Sequence, residues 1–338
     1  SALDVDVALF DAAPTQLKLA IDYGAGRAAR DDDAPSLVVV AVPPDVTADV
    51  IERELAMYPH AVVTDVASVK LAPLGELRER GVDLTHYIGS HPLAGRERGG
   101  AISARADIFI GRPWVVCRDD ETPADDLAIV EALALDVGAT PIEMTPEDHD
   151  RSVALVSHAP QLVASLLAGR FAGAPDGALR LAGQGVRDTT RIAASAPELW
   201  VQILGANAEP VVEVLDALAA DLNNVATALR APDAPGSRRT VADTIRQGND
   251  GVERLPGKHG QNRRFDTVVV MVDDKPGQLG KLFAEMGELD INVEDFRLEH
   301  SPGAQFGLAA LSVVPHAVRG MLDGLESRGW RIASTTHD

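Results

Sequence analysis

The sequence predicts three units in order: a doubly wound α/β unit, an all-α unit and a small βαββαβ unit. The chain has 338 residues, which at roughly 150 residues per domain suggests two or three domains. Strand and helix patterns alternate up to residue 144, helical patterns alone follow, and the alternation returns after residue 264. We therefore expect domains at residues 1–144, 145–253 and 265–338, with a basic, turn-rich linker at 254–264.

In the first unit, short apolar runs alternate with helical patterns of the length found in βαβ units. The continuous apolar run at residues 36–43 is typical of a parallel strand that is covered on both faces. The expected strands are 7–11, 36–43, 61–65, 87–90, 114–117 and 141–144, and the expected helices begin at Pro14 and cover 44–58, 70–80 and 124–136.

The second unit begins where Thr145 and Pro146 form a helix-start signal, with acidic residues in the first turn. Only helical patterns follow up to about Arg230, and another covers 240–252. The clearest helix, 209–229, carries one apolar face, which indicates a homodimer core. That face contains Val212, Leu215, Leu218, Leu222 and Leu229.

The third unit has its own order of elements. Strands are expected at 266–272, 291–299, 306–314 and 330–333, and helices at 277–289 and 317–328. This order is that of a ferredoxin-like module.

Charge and cysteine content exclude several classes of function. The chain has 51 acidic and 31 basic residues, a net charge of −20, which repels nucleic acid and anionic membranes. The single cysteine, Cys117, excludes a disulfide framework and a cysteine-based metal site. No apolar run approaches the roughly 18 residues of a spanning helix. We expect a cytoplasmic protein with no nucleic acid, membrane or metal partner.

Asp11 ends the first expected strand of the chain, and a Rossmann-type NAD-binding domain places an acid on the adenosine ribose hydroxyls at the end of its second strand. Such an acid repels a 2′-phosphate, so this interpretation predicts NAD rather than NADP. A helix-cap or turn role for Asp11 remains open. No G-x-G-x-x-G fingerprint precedes Asp11, and Gly24 and Gly26 come too late. We therefore expect that an N-terminal strand and glycine loop are missing from the chain, through truncation or disorder.

Three segments carry candidate chemistry: residues 65–70 (DVASVK), 89–97 (GSHPLAGRE) and 185–193 (GVRDTTRIA). Taken singly, each segment is weak evidence of a functional site. Ser68 has the alternative of a helix N-cap, His91 that of a loop histidine, and Arg191 that of a surface arginine.

Together these segments resemble the prephenate dehydrogenase family, which includes arogenate and cyclohexadienyl dehydrogenases; the resemblance runs from Val7 to Leu229. Residues 274–279 (DKPGQL) and 291–294 (INVE) resemble an ACT domain, as in actinobacterial members of the family. The resemblance implies NAD-dependent oxidative decarboxylation of prephenate to 4-hydroxyphenylpyruvate in tyrosine biosynthesis. The alternatives are arogenate as substrate and a non-catalytic, amino-acid-binding regulatory dimer.

The resemblance also implies roles for individual residues. His91 would be the catalytic base, Ser68 would bond the reacting hydroxyl near the nicotinamide, and Arg191 would bind a substrate carboxylate. Further substrate residues would be Glu97, Ser157, His158, Gln161 and Trp200, and NAD would contact Asp11, Val42, Pro43 and Ser68. His158 has the alternative of a packed helix histidine.

The C-terminal unit has two interpretations, a pure dimerisation or packing unit and a sensor of an aromatic amino acid, tyrosine or phenylalanine. In the second, the turn before the first helix would present backbone N–H groups to the effector carboxylate. The expected effector residues are Asp274, Gly277, Gln278, Leu279 and Asn292.

Overall fold

The structure is a computed structural model that describes residues 5–95, 100–118, 122–255, 265–300 and 305–336. The chain divides into two units, one of residues 1–179 and 189–219 and one of residues 180–188 and 220–338.

Apart from the short strand at Arg27–Ala28, the strands follow the order expected from the sequence. The strands are β1 (Ala8–Leu9), β2 (Arg27–Ala28), β3 (Leu37–Val40), β4 (Val62–Asp65), β5 (Tyr87–Pro92), β6 (Pro113–Cys117), β7 (Thr140–Met144), β8 (Asp266–Asp273), β9 (Asp295–His300), β10 (Phe306–Val313) and β11 (Arg331–Thr336). The helices are α1 (Pro14–Asp22), α2 (Thr47–Met57), α3 (Leu71–Glu79), α4 (Ala124–Asp136), α5 (Pro146–Val153), α6 (Ala159–Gly169), α7 (Asp176–Leu179), α8 (Gln184–Thr190), α9 (Pro197–Ala206), α10 (Ala208–Arg230), α11 (Ser237–Glu253), α12 (Gln278–Glu288) and α13 (Val318–Ser327).

The main sheet of the first unit has the order β3-β4-β5-β6-β7 and is covered by helices on both faces. Val62 and Val63, successive residues of β4, point to opposite faces. Val63 packs in a cluster with Ile51 of α2 and Leu77 of α3. Val62 packs in another with Val130 of α4. The helices thus sandwich β4, whose four residues are all buried.

Two features of this unit were not predicted from the sequence. β5 and β6 pair antiparallel, while the other neighbours in the main sheet are parallel. The chain between them contains no described crossover α-helix, only a 3₁₀ turn at Ala101–Ser103, and antiparallel neighbours need no helical crossover. In addition, β1 pairs with β2 in a separate two-stranded sheet. The sequence did not predict β2, because a strand of two residues is too short to show a period of apolar residues.

The helical segment that follows begins as expected. The hydroxyl of Thr145 accepts a hydrogen bond from the backbone N–H of Asp148 at 3.1 Å and caps α5. Between α5 and α6 the helix passes through a π-helical turn, Ala154–His158. Pro160 has no N–H, and in a regular helix its ring would meet the carbonyl of Val156, so the wider turn relieves a clash.

The helical stretch Pro146–Gly173 has the length and composition of a membrane-crossing helix, and 33% of its most apolar window is buried. The expectation that no apolar run reaches that length is therefore wrong. A single such helix is weak evidence, since helices that pack inside a protein pass the same test.

The C-terminal part of the second unit has the expected βαββαβ order, with antiparallel strands in the order β11-β8-β10-β9. Its core joins sheet and helices through Val270, Leu311, Leu282 and Met321, which are all fully buried. β9 begins at Asp295 rather than residue 291, after Asp290 adopts a positive φ of 54°. Most of the expected linker, residues 256–264, lies outside the described residues.

Candidate active site

Four predicted site positions follow the carboxyl ends of strands, where open α/β sheets bind ligands. Asp11 follows β1, Val42 and Pro43 follow β3, and Ser68 follows β4. His91 lies near the end of β5. The parallel register pairs Asp65 of β4 with Gly89 of β5. The structure therefore brings the loop of Ser68 and the end of β5 with His91 to the same edge of the sheet.

A buried ion pair connects the loop of Ser68 to the end of β5. Lys70 Nζ lies 2.7 Å from Asp65 Oδ1 and donates a hydrogen bond to the carbonyl of Ser90 at 2.6 Å. The backbone N–H of Ser90 donates to Asp65 Oδ1 at 3.0 Å. Asp65 and Lys70 are 0% and 2% exposed. Because this pair brackets the loop of Ser68 and contacts the residue before His91, it holds both candidate catalytic residues in place.

A second buried network begins at the His91 ring. His91 Nδ1 lies 2.9 Å from His149 Nε2, and His149 Nδ1 lies 2.7 Å from Asp150 Oδ1. The Asp150 carboxylate also accepts the backbone N–H groups of Lys70 at 2.8 Å and Leu71 at 2.9 Å, at the start of α3. The network therefore links the end of β5 to α5 and α3.

The electrostatics of this region keep His91 uncharged. Burial, followed by electrostatic interactions with His149, Lys70 and His158, holds the pKa of His91 well below its usual value. A neutral imidazole is the form that accepts a proton. His91 thus has the protonation state that a general base requires near neutral pH.

The contacts of His158 match a packed helix histidine, the alternative noted from the sequence. Its Nδ1 lies 3.0 Å from Asn207 Nδ2, which also donates to the carbonyl of Asp150 at 2.8 Å. Its ring meets Trp200 edge-on, with centroids 6.0 Å apart. Burial lowers the pKa of His158 to about 4. The packing holds His158 and Trp200 together, while their roles toward a substrate stay predictions.

The segment of Arg191 packs against α6, the helix that carries Gln161. Gln161 is 6% exposed, and Ser195 Oγ lies 3.5 Å from its Oε1. The 3₁₀ turn Arg191–Ala193 packs against α6, with Arg191 itself exposed. Ser157 is half-buried in the π-helical turn. Glu97 lies outside the described residues.

The structure gives Asp11 a turn contact. Its Oδ1 accepts the backbone N–H of Ala13 at 2.7 Å, directly before α1. This is the alternative role noted from the sequence, and the ribose role stays a prediction.

Three of the five expected effector residues line one cavity, and the role of all five toward an effector stays a prediction. Asp274, Gly277 and Leu279 line a cavity of about 150 Å³, and Gly277 has a φ of 85°, which favours glycine. Gln278 lines another cavity, and Asn292 donates to Glu294 Oε1 at 2.6 Å.

The prediction from sequence missed five residues of the networks: Asp65, Lys70, His149, Asp150 and Asn207. Asp65 and Lys70 flank Ser68 within a segment already singled out, which was the available signal. Nothing local marks His149, Asp150 or Asn207, because their partners lie far away in the sequence. Among the described residues, no group of three His, Cys, Asp or Glu side chains is arranged to hold a metal ion.

A helix-covered sheet with a neutral histidine at its carboxyl edge is the arrangement of a nucleotide-dependent dehydrogenase. Residues 1–143 match the family model for the prephenate dehydrogenase nucleotide-binding domain, and residues 145–243 match the model for the prephenate dehydrogenase dimerization domain. The chain is 34% identical over 334 residues to the probable prephenate dehydrogenase NovF of Streptomyces niveus, covering 96% of this chain and 92% of that one. The chain belongs to the prephenate dehydrogenase family, and its residues 1–143 are the part that matches the nucleotide-binding domain.

Solved structures agree with this assignment. A crystal structure of a putative prephenate dehydrogenase from Corynebacterium glutamicum has a TM-score of 0.64 at 28% identity and covers 73% of this chain and 81% of that chain. The prephenate dehydrogenase of A. aeolicus in complex with hydroxyphenyl propionate and NAD+ has a TM-score of 0.62 at 24% identity, over 71% of this chain and 87% of that one, which shows a shared fold.

Proposed function

We propose that the chain oxidises and decarboxylates prephenate with NAD, which yields 4-hydroxyphenylpyruvate and CO2 in tyrosine biosynthesis. The observation that carries the proposal is the half-buried, neutral His91 at the sheet edge that it shares with the Ser68 loop. Similarity to NovF over nearly the whole chain supports the same substrate class.

His91 takes the proton of the substrate hydroxyl as the carbonyl forms. When bound, NAD would supply the acceptor for the hydride that leaves the ring carbon bearing this hydroxyl. Ser68 hydrogen-bonds the same hydroxyl and so orients it toward His91. Loss of the ring carboxylate as CO2 restores aromaticity, so the chain needs no group that stores electrons.

NAD fits the described residues because its proposed contacts follow successive strand ends. Asp11 would accept from the adenosine ribose hydroxyls, Val42 and Pro43 would line the cofactor after β3, and Ser68 would lie near the nicotinamide. The exposed Asp11 carboxylate has one oxygen bonded to the Ala13 N–H, which leaves the other for the ribose.

Prephenate is a dianion, and a planar guanidinium is the matching partner for a carboxylate. We assign this role to Arg191, whose exposed side chain suits a ligand from solvent. The further substrate residues would be Glu97, Ser157, His158, Gln161 and Trp200. Arogenate carries an amine on its side chain, so the choice between the two substrates would depend on the groups near Glu97 and Gln161.

The test is NADH formation by the full chain, with prephenate and arogenate offered separately and with NAD or NADP. Turnover of prephenate with NAD is expected. Turnover with arogenate alone would support the same reaction chemistry but show that arogenate, not prephenate, is the substrate. Absence of turnover with both, in protein that binds NAD, would favour the non-catalytic regulatory dimer and contradict the proposal.

We also propose that residues 265–338 form an ACT domain that follows a NAD-binding domain at 1–144, a helical domain at 145–253 and a linker at 254–264. The ferredoxin-like strand order supports this assignment. Tyrosine or phenylalanine would bind near Asp274, Gly277, Gln278 and Leu279, with Asn292 supplied across an interface. Equilibrium dialysis with both amino acids tests the effector, and absence of binding would remove it.

A homodimer is part of the proposal, in agreement with the dimerization-domain match. Exposed apolar residues of the helical region support it: Leu155, Val163, Leu166, Leu218, Leu222 and Leu229. The cytoplasmic location and the absence of nucleic-acid and membrane partners stay predictions.

A further inference from the structure

We propose that His149 and Asp150 form a positioning pair that determines which nitrogen of His91 is free to take the substrate proton. The inference rests on the proposed role of His91 as the base. It starts from the series of the half-buried His91 and the buried His149 and Asp150, whose neighbouring polar atoms lie 2.9 Å and 2.7 Å apart.

The first step concerns Asp150. Its carboxylate accepts the backbone N–H groups of Lys70 and Leu71, one on each oxygen. An ionised carboxylate is only an acceptor, and every group within hydrogen-bond distance of it must donate. The atom of His149 that contacts Asp150 must therefore be a donor, so His149 carries its hydrogen on Nδ1.

The second step concerns His91. With hydrogen on Nδ1, neutral His149 has a lone pair on Nε2. His91 Nδ1 lies 2.9 Å from that atom and must then be the donor. The Nε2 atom of neutral His91 consequently has the free lone pair, and this atom takes the substrate proton.

The third step concerns the charge that develops during the reaction. Once His91 Nε2 accepts the hydroxyl proton, the ring is an imidazolium with hydrogen on both nitrogens. Its Nδ1–H still points at the lone pair of His149, which is in turn bonded to the Asp150 carboxylate. The same contacts thus hold the ring before and after proton transfer, as a carboxylate does for the histidine of a serine-protease triad.

Burial makes this arrangement specific. His149 is 0% exposed and Asp150 is 1% exposed, so water does not compete for their hydrogen bonds. The other groups that face His91 have partners of their own. Lys70 is bonded to Asp65, and His158 contacts Asn207.

The direct test is the tautomer of each histidine in the full chain without substrate. Long-range ¹H–¹⁵N NMR correlations of protein labelled with ¹⁵N-histidine distinguish the two ring nitrogens, and the His91→Asn and His149→Gln variants assign the signals. We expect His91 and His149 both to be neutral with hydrogen on Nδ1 near pH 7.5. Hydrogen on Nε2 of His91 would overturn the proposal. This readout needs no turnover, so it separates failure of the inference from failure of the proposed reaction.

Kinetics provide the second test. In His149→Gln the side-chain oxygen occupies the region of Nε2 and accepts from His91, whereas His149→Leu offers no acceptor. We expect His149→Gln to keep kcat within about tenfold of the unmodified chain and His149→Leu to lose about 100-fold or more, with KM for the substrate within about threefold in both.

The matched control is Asp148→Asn, an exposed position in the same helix turn, which should leave kcat unchanged. Equal losses in the two His149 variants, or no loss in His149→Leu, would contradict the positioning role. If His149→Leu does not fold, the tautomers of the unmodified chain still decide the question.

Discussion

His91 combines two properties that a surface histidine lacks. Burial keeps the pKa of its ring well below the usual value, and the ring lies within hydrogen-bond distance of another buried histidine. A base of this kind is uncharged in neutral solution, so its proton-accepting form is populated without a further partner.

Replacing His91 by asparagine removes the proton acceptor and keeps a side chain of similar polarity. We expect turnover to fall about 100-fold or more, because positioned bases contribute about that much, while NAD binding stays within about twofold. Steady-state NADH formation and NAD titration calorimetry measure the two effects. His60→Asn, at an exposed position, is the control. Near-normal turnover in His91→Asn would remove His91 from the role.

His158 makes folding stability depend on pH. Burial lowers its pKa to about 4 in the folded protein, against about 6.5 in an unfolded chain. Between these values the unfolded state binds more protons, so the stabilising contribution is complete above pH 6.5 and is lost as the pH falls toward 4. Melting temperatures between pH 7.5 and 4.5 should fall less steeply for His158→Gln than for the unmodified chain. Equal slopes would show that His158 does not titrate in this way.

At the scale of elements, the loop after β4 depends on a buried ion pair. Lys70→Met removes the partner of Asp65 and leaves a buried carboxylate unpaired. Breaking such a pair costs about 3–5 kcal/mol, so we expect a loss of that size in the free energy of unfolding. Urea unfolding followed by tryptophan fluorescence measures it, since Trp114 is bonded to Ser90 beside the pair.

The matched control for Lys70→Met is Arg105→Gln, which removes an ion pair between exposed side chains of Arg105 and Asp107. Exposed pairs of this kind contribute little to stability, and no measurable change is expected. An unchanged midpoint in Lys70→Met would show that the pair is not needed for the loop.

At the scale of the whole molecule, α10 exposes apolar side chains on one face. Leu222 is 71% exposed and Leu229 is 61% exposed, which is unusual for large apolar residues unless another surface covers them. We propose a second copy of the chain as that surface, and Leu222→Asp should shift the protein from dimer toward monomer. Sedimentation velocity over a concentration series measures the shift. Asn224→Asp adds the same charge on another face of the helix and should stay dimeric. A dimer of unchanged affinity in Leu222→Asp would place the interface elsewhere.

Local sequence patterns were sufficient for most elements. The period of apolar residues marked the strands and helices, and a hydroxyl followed by proline marked the start of α5 at Thr145. The order of elements in the C-terminal module was also predicted correctly. These features depend on residues close together in the chain, so the sequence records them directly.

The sequence by itself determined the family and supplied Ser68 and His91 as the candidates for its chemistry, because each lies in a short segment whose residue types and spacing are specific. Only the tertiary structure decided the antiparallel pairing of β5 with β6, the ion pair that brackets the Ser68 loop, and the contact of His91 with His149. The physical reason is distance along the chain: His91 and His149 are separated by 58 positions. The sequence states which side chains are polar. Whether such a side chain is buried, and which group forms its hydrogen bond, depends on elements that meet only in the folded protein.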